Sequence, residues 1–139
     1  MKNYLEMKFS ATLKNVSFAR GTVACFLLEQ DLSLNLINEI KTIVSEAVTN
    51  AVVHGYAENP GELVMMELLL ENNRLTITVR DDGAGIPDVK KAREPLYTTR
   101  EDEDRAGLGF TIMEIFSDSV EVMSEPGKGT TVICTKMLG

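Results

Sequence analysis

The sequence predicts an α+β fold: a two-layer α/β sandwich with helices on one face of a mixed, mainly antiparallel sheet. Three observations predict it. Residues 15–29 and 33–55 carry apolar side chains at spacings of three and four, the period of helices with one buried side. Residues 62–81 read as two strands joined at the tight-turn sequence Asn72-Asn73, and 119–136 read as two closing strands around the turn "PGKG". The resulting order, β-α-α-β-β-(charged segment)-α-β-β, groups strands with strands and helices with helices. With 139 residues the chain suits one domain, 1–139, able to bury a core without disulfides.

Taken in order, "YLEMKFSA" alternates Leu5, Met7 and Phe9 with polar neighbours and is a first strand. Asn15 is a candidate cap for a helix running to about Glu29, with Val16, Ala19, Val23, Phe26 and Leu27 on its buried side. Ser33 or Asn35 opens a longer second helix. Its apolar positions are Ile37, Ile40, Val44, Ala47, Val48 and Ala51, and Gly55 is a natural terminator. Asn72-Asn73 then joins two strands, being residues that tolerate the positive φ of a tight turn. In the second of these, Leu75, Ile77 and Val79 share a face, and period two puts Asp81 on that same face. Residues 88–106 break the pattern: eleven of these nineteen are charged and Pro95 interrupts them, which predicts a long lid-like loop. "GLGFTIMEIFSD" gives a third helix, and "SVEVMSE" and "TTVICTK" the two closing strands.

Bulk properties exclude several classes. A formal charge of −7 argues against nonspecific binding to nucleic acid, which needs a basic surface. No apolar run approaches the ~20 residues that span a bilayer, and "MKNYLEMKFS" lacks a signal-peptide core, so the expected location is cytoplasmic. Cys25 and Cys134 both lie in apolar segments and read as buried, reduced small hydrophobes.

Four short stretches carry chemistry. In "EAVTNAVVHG" (46–55), Glu46, Asn50 and His54 recur every four residues and share one helix edge. That edge is either solvated or a ligand face, on which an Asn amide oxygen suits Mg²⁺ and a carboxylate suits a nucleophile to be oriented. In "DDGAGIP" (81–87), Gly83 and Gly85 allow the backbone to bend close to a flat ligand. A buried Asp81 there is satisfied by an exocyclic amine such as adenine's; the bland alternative is a turn. In "RAGLGFT" (105–111), Gly107 and Gly109 precede a predicted helix, whose free N–H groups make an anion site. In "GKGTTV" (127–132), Thr130 is in phase with Val132 and Cys134, so its hydroxyl reaches the side that holds Asp81.

Each stretch is ambiguous alone, but their order is not. E-x-x-x-N on a helix, D-x-G-x-G at a strand end, a charged lid, G-x-G at a helix start and G-x-G-T on a last strand together resemble the GHKL (Bergerat-fold) ATP-binding family. "SFARGTVACF", "EIKTIVSEAVTNAVVHGY", "LTITVRDDGAGIPD", "REPLYTTR" and "RAGLGFTIME" extend the resemblance over essentially the whole chain, to the family's sporulation anti-sigma kinases.

The resemblance implies a serine-protein kinase that uses ATP and Mg²⁺ and releases ADP. Asp81 would accept from the adenine amine, aided by Thr130, Gly83 and Gly85, with His54 at the edge of the nucleotide box. Asn50 would ligate Mg²⁺, and Gly107, Leu108 and Gly109 would offer N–H groups to the phosphates. Arg105, Thr98 and Thr99 would close over the γ-phosphate, and Glu46 would orient the attacking hydroxyl. Positioning of this kind is most of phosphoryl-transfer catalysis. The implied partners are a sporulation sigma factor, held through Arg20, an anti-anti-sigma protein bearing the acceptor serine, and a second copy in a homodimer. Two rivals remain: a stress-response-type anti-sigma kinase, and a nucleotide-dependent sigma-binding module without phosphotransfer. The sole histidine, His54, falls inside the nucleotide box, which leaves no separate phosphoacceptor histidine in this chain.

Overall fold

The computed structural model describes residues 2–94 and 101–139, except for the side chains of 101–107. Its strands are β1 (Lys2–Ser10), β2 (Leu63–Glu71), β3 (Arg74–Asp81), β4 (Ser119–Glu125) and β5 (Gly129–Met137). Its helices are α1 (Lys14–Phe26), α2 (Leu34–Asn50), the short α3 (Val89–Ala92) and α4 (Glu101–Phe116). A 3₁₀ turn follows α1 at Leu28–Gln30, and a π-helical turn, Ala51–Gly55, follows α2.

The strands form one sheet in the order β1-β2-β3-β5-β4. All four pairings are antiparallel, so the parallel component of the expected mixed sheet is absent among the described residues. Connectivity explains this. The β4–β5 hairpin inserts its second strand between β3 and β4, so each neighbour reverses direction. The β2–β3 turn is the one the sequence predicts: Asn72 and Asn73 both take positive φ, 54° and 59°.

One face of this sheet is covered. Val64, Met66, Leu68 and Leu70 of β2, Leu75, Ile77 and Val79 of β3, and Val132 and Cys134 of β5 form the floor. Ala19, Val23 and Leu27 cover it from the α1 side, Ile40, Ile43, Val44, Ala47 and Val48 from α2, and Phe110 and Met113 from α4. Each large aliphatic group buried here contributes roughly 1.5–3 kcal/mol. Helix α2 opens on Ser33, whose hydroxyl accepts the Leu36 N–H at 3.1 Å.

Several details differ from the sequence reading. Asn15 does not cap α1; the helix begins at Lys14, and the Asn15 amide instead donates to the Ser10 carbonyl at 2.8 Å. The helix closes at Phe26, and its last turn tightens to the 3₁₀ form rather than reaching Glu29 as α-helix. Cys25 is exposed and only Cys134 is buried, because position 25 falls on the side of α1 opposite Val23.

The largest difference lies in the charged segment. Helix α3 and the first residues of α4 fall inside 88–106, where a loop was expected. Glu101-Asp102-Glu103-Asp104 is the composition that a helix N-terminus favours electrostatically, so a run that looks like solvated loop is also a good first turn. Just after α3, Arg93 donates from Nε to Glu114 of α4 at 2.9 Å and from Nη2 to the Val120 carbonyl of β4 at 3.1 Å. The near end of the segment is thus tied to the helix and strand that follow it.

Candidate nucleotide site

The site begins at the end of β3. Asp81 pairs with Thr130 of β5 in the sheet register and is 3% exposed, on the side the alternation predicts. Burial pushes its carboxyl up to about 6 from 3.8, partly offset by the N–H groups of Gly83 and Thr130, while neighbouring Asp82 raises it further. A carboxylate kept in so poorly solvated a place is one awaiting a donor.

The loop after Asp81 is fixed by its own amides. Asp82 N–H donates to the Tyr56 hydroxyl at 2.6 Å, Gly83 N–H to Asp81 Oδ1 at 3.0 Å, and Ala84 N–H to the Gly55 carbonyl at 2.9 Å. Gly55 does not end the helix through positive φ. It is glycine because a Cβ there would lie 2.5 Å from the Asp81 Cγ. A Cβ on Gly83 would lie 1.9 Å from the Gly55 carbonyl oxygen, so the two glycines interlock the π turn with the loop.

From the other side, Ser124 of β4 gathers the remaining groups. Its hydroxyl accepts the Ile86 N–H at 2.7 Å, donates to the Gly129 carbonyl at 3.0 Å, and lies 2.8 Å from the Thr130 hydroxyl. Thr130 itself is buried. The sequence reading missed Ser124 and Tyr56. Period two in β4 placed Ser124 in phase with Val120 and Val122, and that signal was available. Nothing in the spacing marked Tyr56.

The second part of the site lies along α2. Asn50, its last residue, is 6% exposed, and its Oδ1 accepts no hydrogen bond from any described residue. A buried carbonyl oxygen in that condition fits a hard cation or a water. Among the described residues no three His, Cys, Asp or Glu side chains are grouped to hold a metal. The buried Asn50 amide oxygen fits Mg²⁺, which commonly takes one or two protein oxygens and completes its shell with phosphate and water. Glu46, one turn earlier, is half-buried and faces α4: a Cβ on Gly109 would meet its Oε2 at 3.2 Å. His54 is half-buried within the π turn, between Asn50 and the Gly55–Asp81 contact.

The third part is where sequence and structure part company. Gly107, Leu108 and Gly109 do not precede a helix; they lie inside α4, which starts at Glu101. An α-helix spends amides at such positions on its own carbonyls. The side chain of Arg105 and both Thr98 and Thr99 lie outside the described residues. Arg20 is exposed on α1.

Comparison with known proteins shows the family of the chain. Residues 9–136 match the family described as the histidine kinase-like ATPase domain. The chain is 50% identical over 136 residues to the anti-sigma F factor of Geobacillus kaustophilus, covering 98% of this chain and 93% of that protein. It is 49% identical over 138 residues to the anti-sigma F factor of Bacillus subtilis, covering 99% and 94%. The chain therefore belongs to the histidine kinase-like ATPase family, alongside these anti-sigma F factors. Its fold is similar to that of the RsbU and RsbW domains of Rv1364c from Mycobacterium tuberculosis, with a TM-score of 0.71 at 22% identity, over 98% of this chain and 32% of that one.

Proposed function

We propose that the chain is a cytoplasmic anti-sigma factor that binds ATP, holds a sporulation sigma factor inactive, and phosphorylates a serine on its anti-anti-sigma antagonist. Kinship with the anti-sigma F factors supports the sigma-factor part. No helix among the described residues is long and apolar enough to cross a membrane. The observation that carries the nucleotide part is the pairing of two buried, ligand-seeking groups across one π turn: Asp81, and the unpartnered oxygen of Asn50.

Each residue then has a task. Asp81 accepts from the adenine amine, with Thr130, Gly83 and Gly85 shaping the floor. Asn50 holds Mg²⁺, which when bound neutralises phosphate charge; His54 shapes the turn between the two. Glu46 orients the acceptor hydroxyl, a task that needs placement more than basicity. Arg105, Thr98 and Thr99 act at the γ-phosphate end, where the amides of Gly107, Leu108 and Gly109 serve once α4 gives up its first turns. Arg20 meets the protein partners, and two copies associate as a homodimer.

The test is direct. The chain is incubated with γ-labelled ATP, Mg²⁺ and the candidate antagonist, and the label is located by mass spectrometry. Label on one antagonist serine is the expected result. Tight ATP binding with no transfer to any protein would leave only the sequestering module.

A further inference from the structure

The mechanism above leaves the buried contact between Tyr56 and Asp82 unused. Tyr56 follows the π turn, is 7% exposed, and its hydroxyl accepts the Asp82 N–H at 2.6 Å. The π-type bond from Tyr56 N–H to the Ala51 carbonyl, 3.0 Å, closes the turn that begins just after Asn50. Three successive loop amides therefore have three different acceptors. Asp82 uses Tyr56, Gly83 uses Asp81 itself, and Ala84 uses Gly55. Two of these acceptors, Gly55 and Tyr56, are neighbours, the last residue of the π turn and the one after it.

Tyr56 is the only side chain from outside the loop in that set. Burial pushes the titration of its phenol up; the Asp82 N–H partly offsets this, and the Asp82, Asp81 and Glu62 carboxylates add to it, so the hydroxyl is neutral. Removing its oxygen would leave the ring in place and strip the Asp81–Asp82 peptide of its outside anchor. The carboxylate on that peptide would then sample a wider range of directions.

We propose that Tyr56 is a positioning residue for purine recognition: its hydroxyl fixes the Asp81–Asp82 peptide so that the Asp81 carboxylate meets the exocyclic amine of the base. This rests on the nucleotide reading given above. It also makes the π turn a rigid link, since Asn50 stands at one end of it and Tyr56 at the other.

The experiment measures equilibrium binding of ATP and of ITP, which has a carbonyl where adenine has its amine. Three full-length proteins are compared: the parent, Tyr56→Phe and Asp81→Asn. The parent should prefer ATP. Tyr56→Phe should lose about fivefold to tenfold in ATP affinity, as expected for one lost anchoring hydrogen bond, and less than about twofold for ITP. Asp81→Asn should abolish or reverse the preference. If Asp81→Asn loses selectivity and Tyr56→Phe keeps it, Tyr56 has no positioning role and the nucleotide reading stands. If Asp81→Asn keeps the preference, both fall together. Amide exchange by NMR separates positioning from folding. Faster exchange confined to Asp82 and its loop supports the proposal, and faster exchange throughout the sheet in Tyr56→Phe overturns it.

Discussion

The two ends of the candidate nucleotide site are built on opposite plans. At the base end, every amide from Asp82 to Ala84 already has an acceptor, and the carboxylate is walled in by two interlocked glycines. At the end proposed for the phosphates, the Asn50 oxygen accepts from no described residue, and the G-x-G amides lie within α4. The first is already closed by its own hydrogen bonds; the second leaves an oxygen open among the described residues. On the function proposed above, such a site would hold any adenine nucleotide by its base and read the number of phosphates elsewhere.

The same substitution at each end tests that contrast most severely. Gly83→Ala would drive a Cβ to 1.9 Å from the Gly55 carbonyl oxygen, backbone against backbone, with nothing able to rotate away. We expect a loss of roughly 3 kcal/mol in folding stability, at the upper end for overpacking, and at least a hundredfold loss in ATP affinity by calorimetry. A protein that bound ATP normally would show the base end to be pliable after all.

At the phosphate end, Glu46→Gln keeps shape and removes charge. ATP affinity should hold within about twofold while transfer to the antagonist serine falls at least about tenfold. Unchanged turnover would take Glu46 out of the reaction.

Acidity separates the ends through Asp81. Its folded value, about 6, lies above the unfolded 3.8, so between those values the folded chain holds more protons than the unfolded one. Stability of the ligand-free protein therefore falls as pH rises through that window, by up to roughly 3 kcal/mol at 1.36 kcal/mol per unit. Nucleotide affinity should run the other way, weakening below pH 6 because the adenine amine needs the ionised carboxylate. Denaturant melts and ATP titrations from pH 4.5 to 7.5, with Asp81→Asn as the flat control, check both signs.

The smallest effect belongs to Gly109→Ala. Here the new Cβ meets only the end of the Glu46 side chain, at 3.2 Å, and Ala favours helix by about 1 kcal/mol. Stability should change by no more than about 1 kcal/mol, while a stiffer α4 and a displaced Glu46 slow transfer. A large destabilisation would mean the phosphate end is as tightly packed as the base end.

What could be read in advance follows the same divide. Features set by a repeating period were legible: the buried edge of α2, the Asn72-Asn73 turn, and the inward phase of Asp81 and Thr130. Features set by one residue of irregularity were not. A π turn adds a single residue to a helical turn and leaves no periodic trace, so the sequence places the end at Gly55 but not the change of helix type before it, and nothing in it marks Tyr56. The start of α4 was hidden differently, because an acidic run is equally the composition of solvated loop and of a helix N-terminus. Cys25 shows a missed use of the period, since the phase that buries Val23 turns position 25 outward.

The strand order has a consequence for synthesis. Asp81 and its partner Thr130 are joined across β3 and β5, and β5 is threaded between strands already separated by α4. On a ribosome the Asp81 carboxylate is thus made well before the strand that completes its surroundings, and that pairing spans a long stretch of chain. A nascent chain lacking β5 has the D-x-G-x-G loop but no floor beneath it. The surroundings of Asp81 are therefore complete only once the last strand has paired with β3.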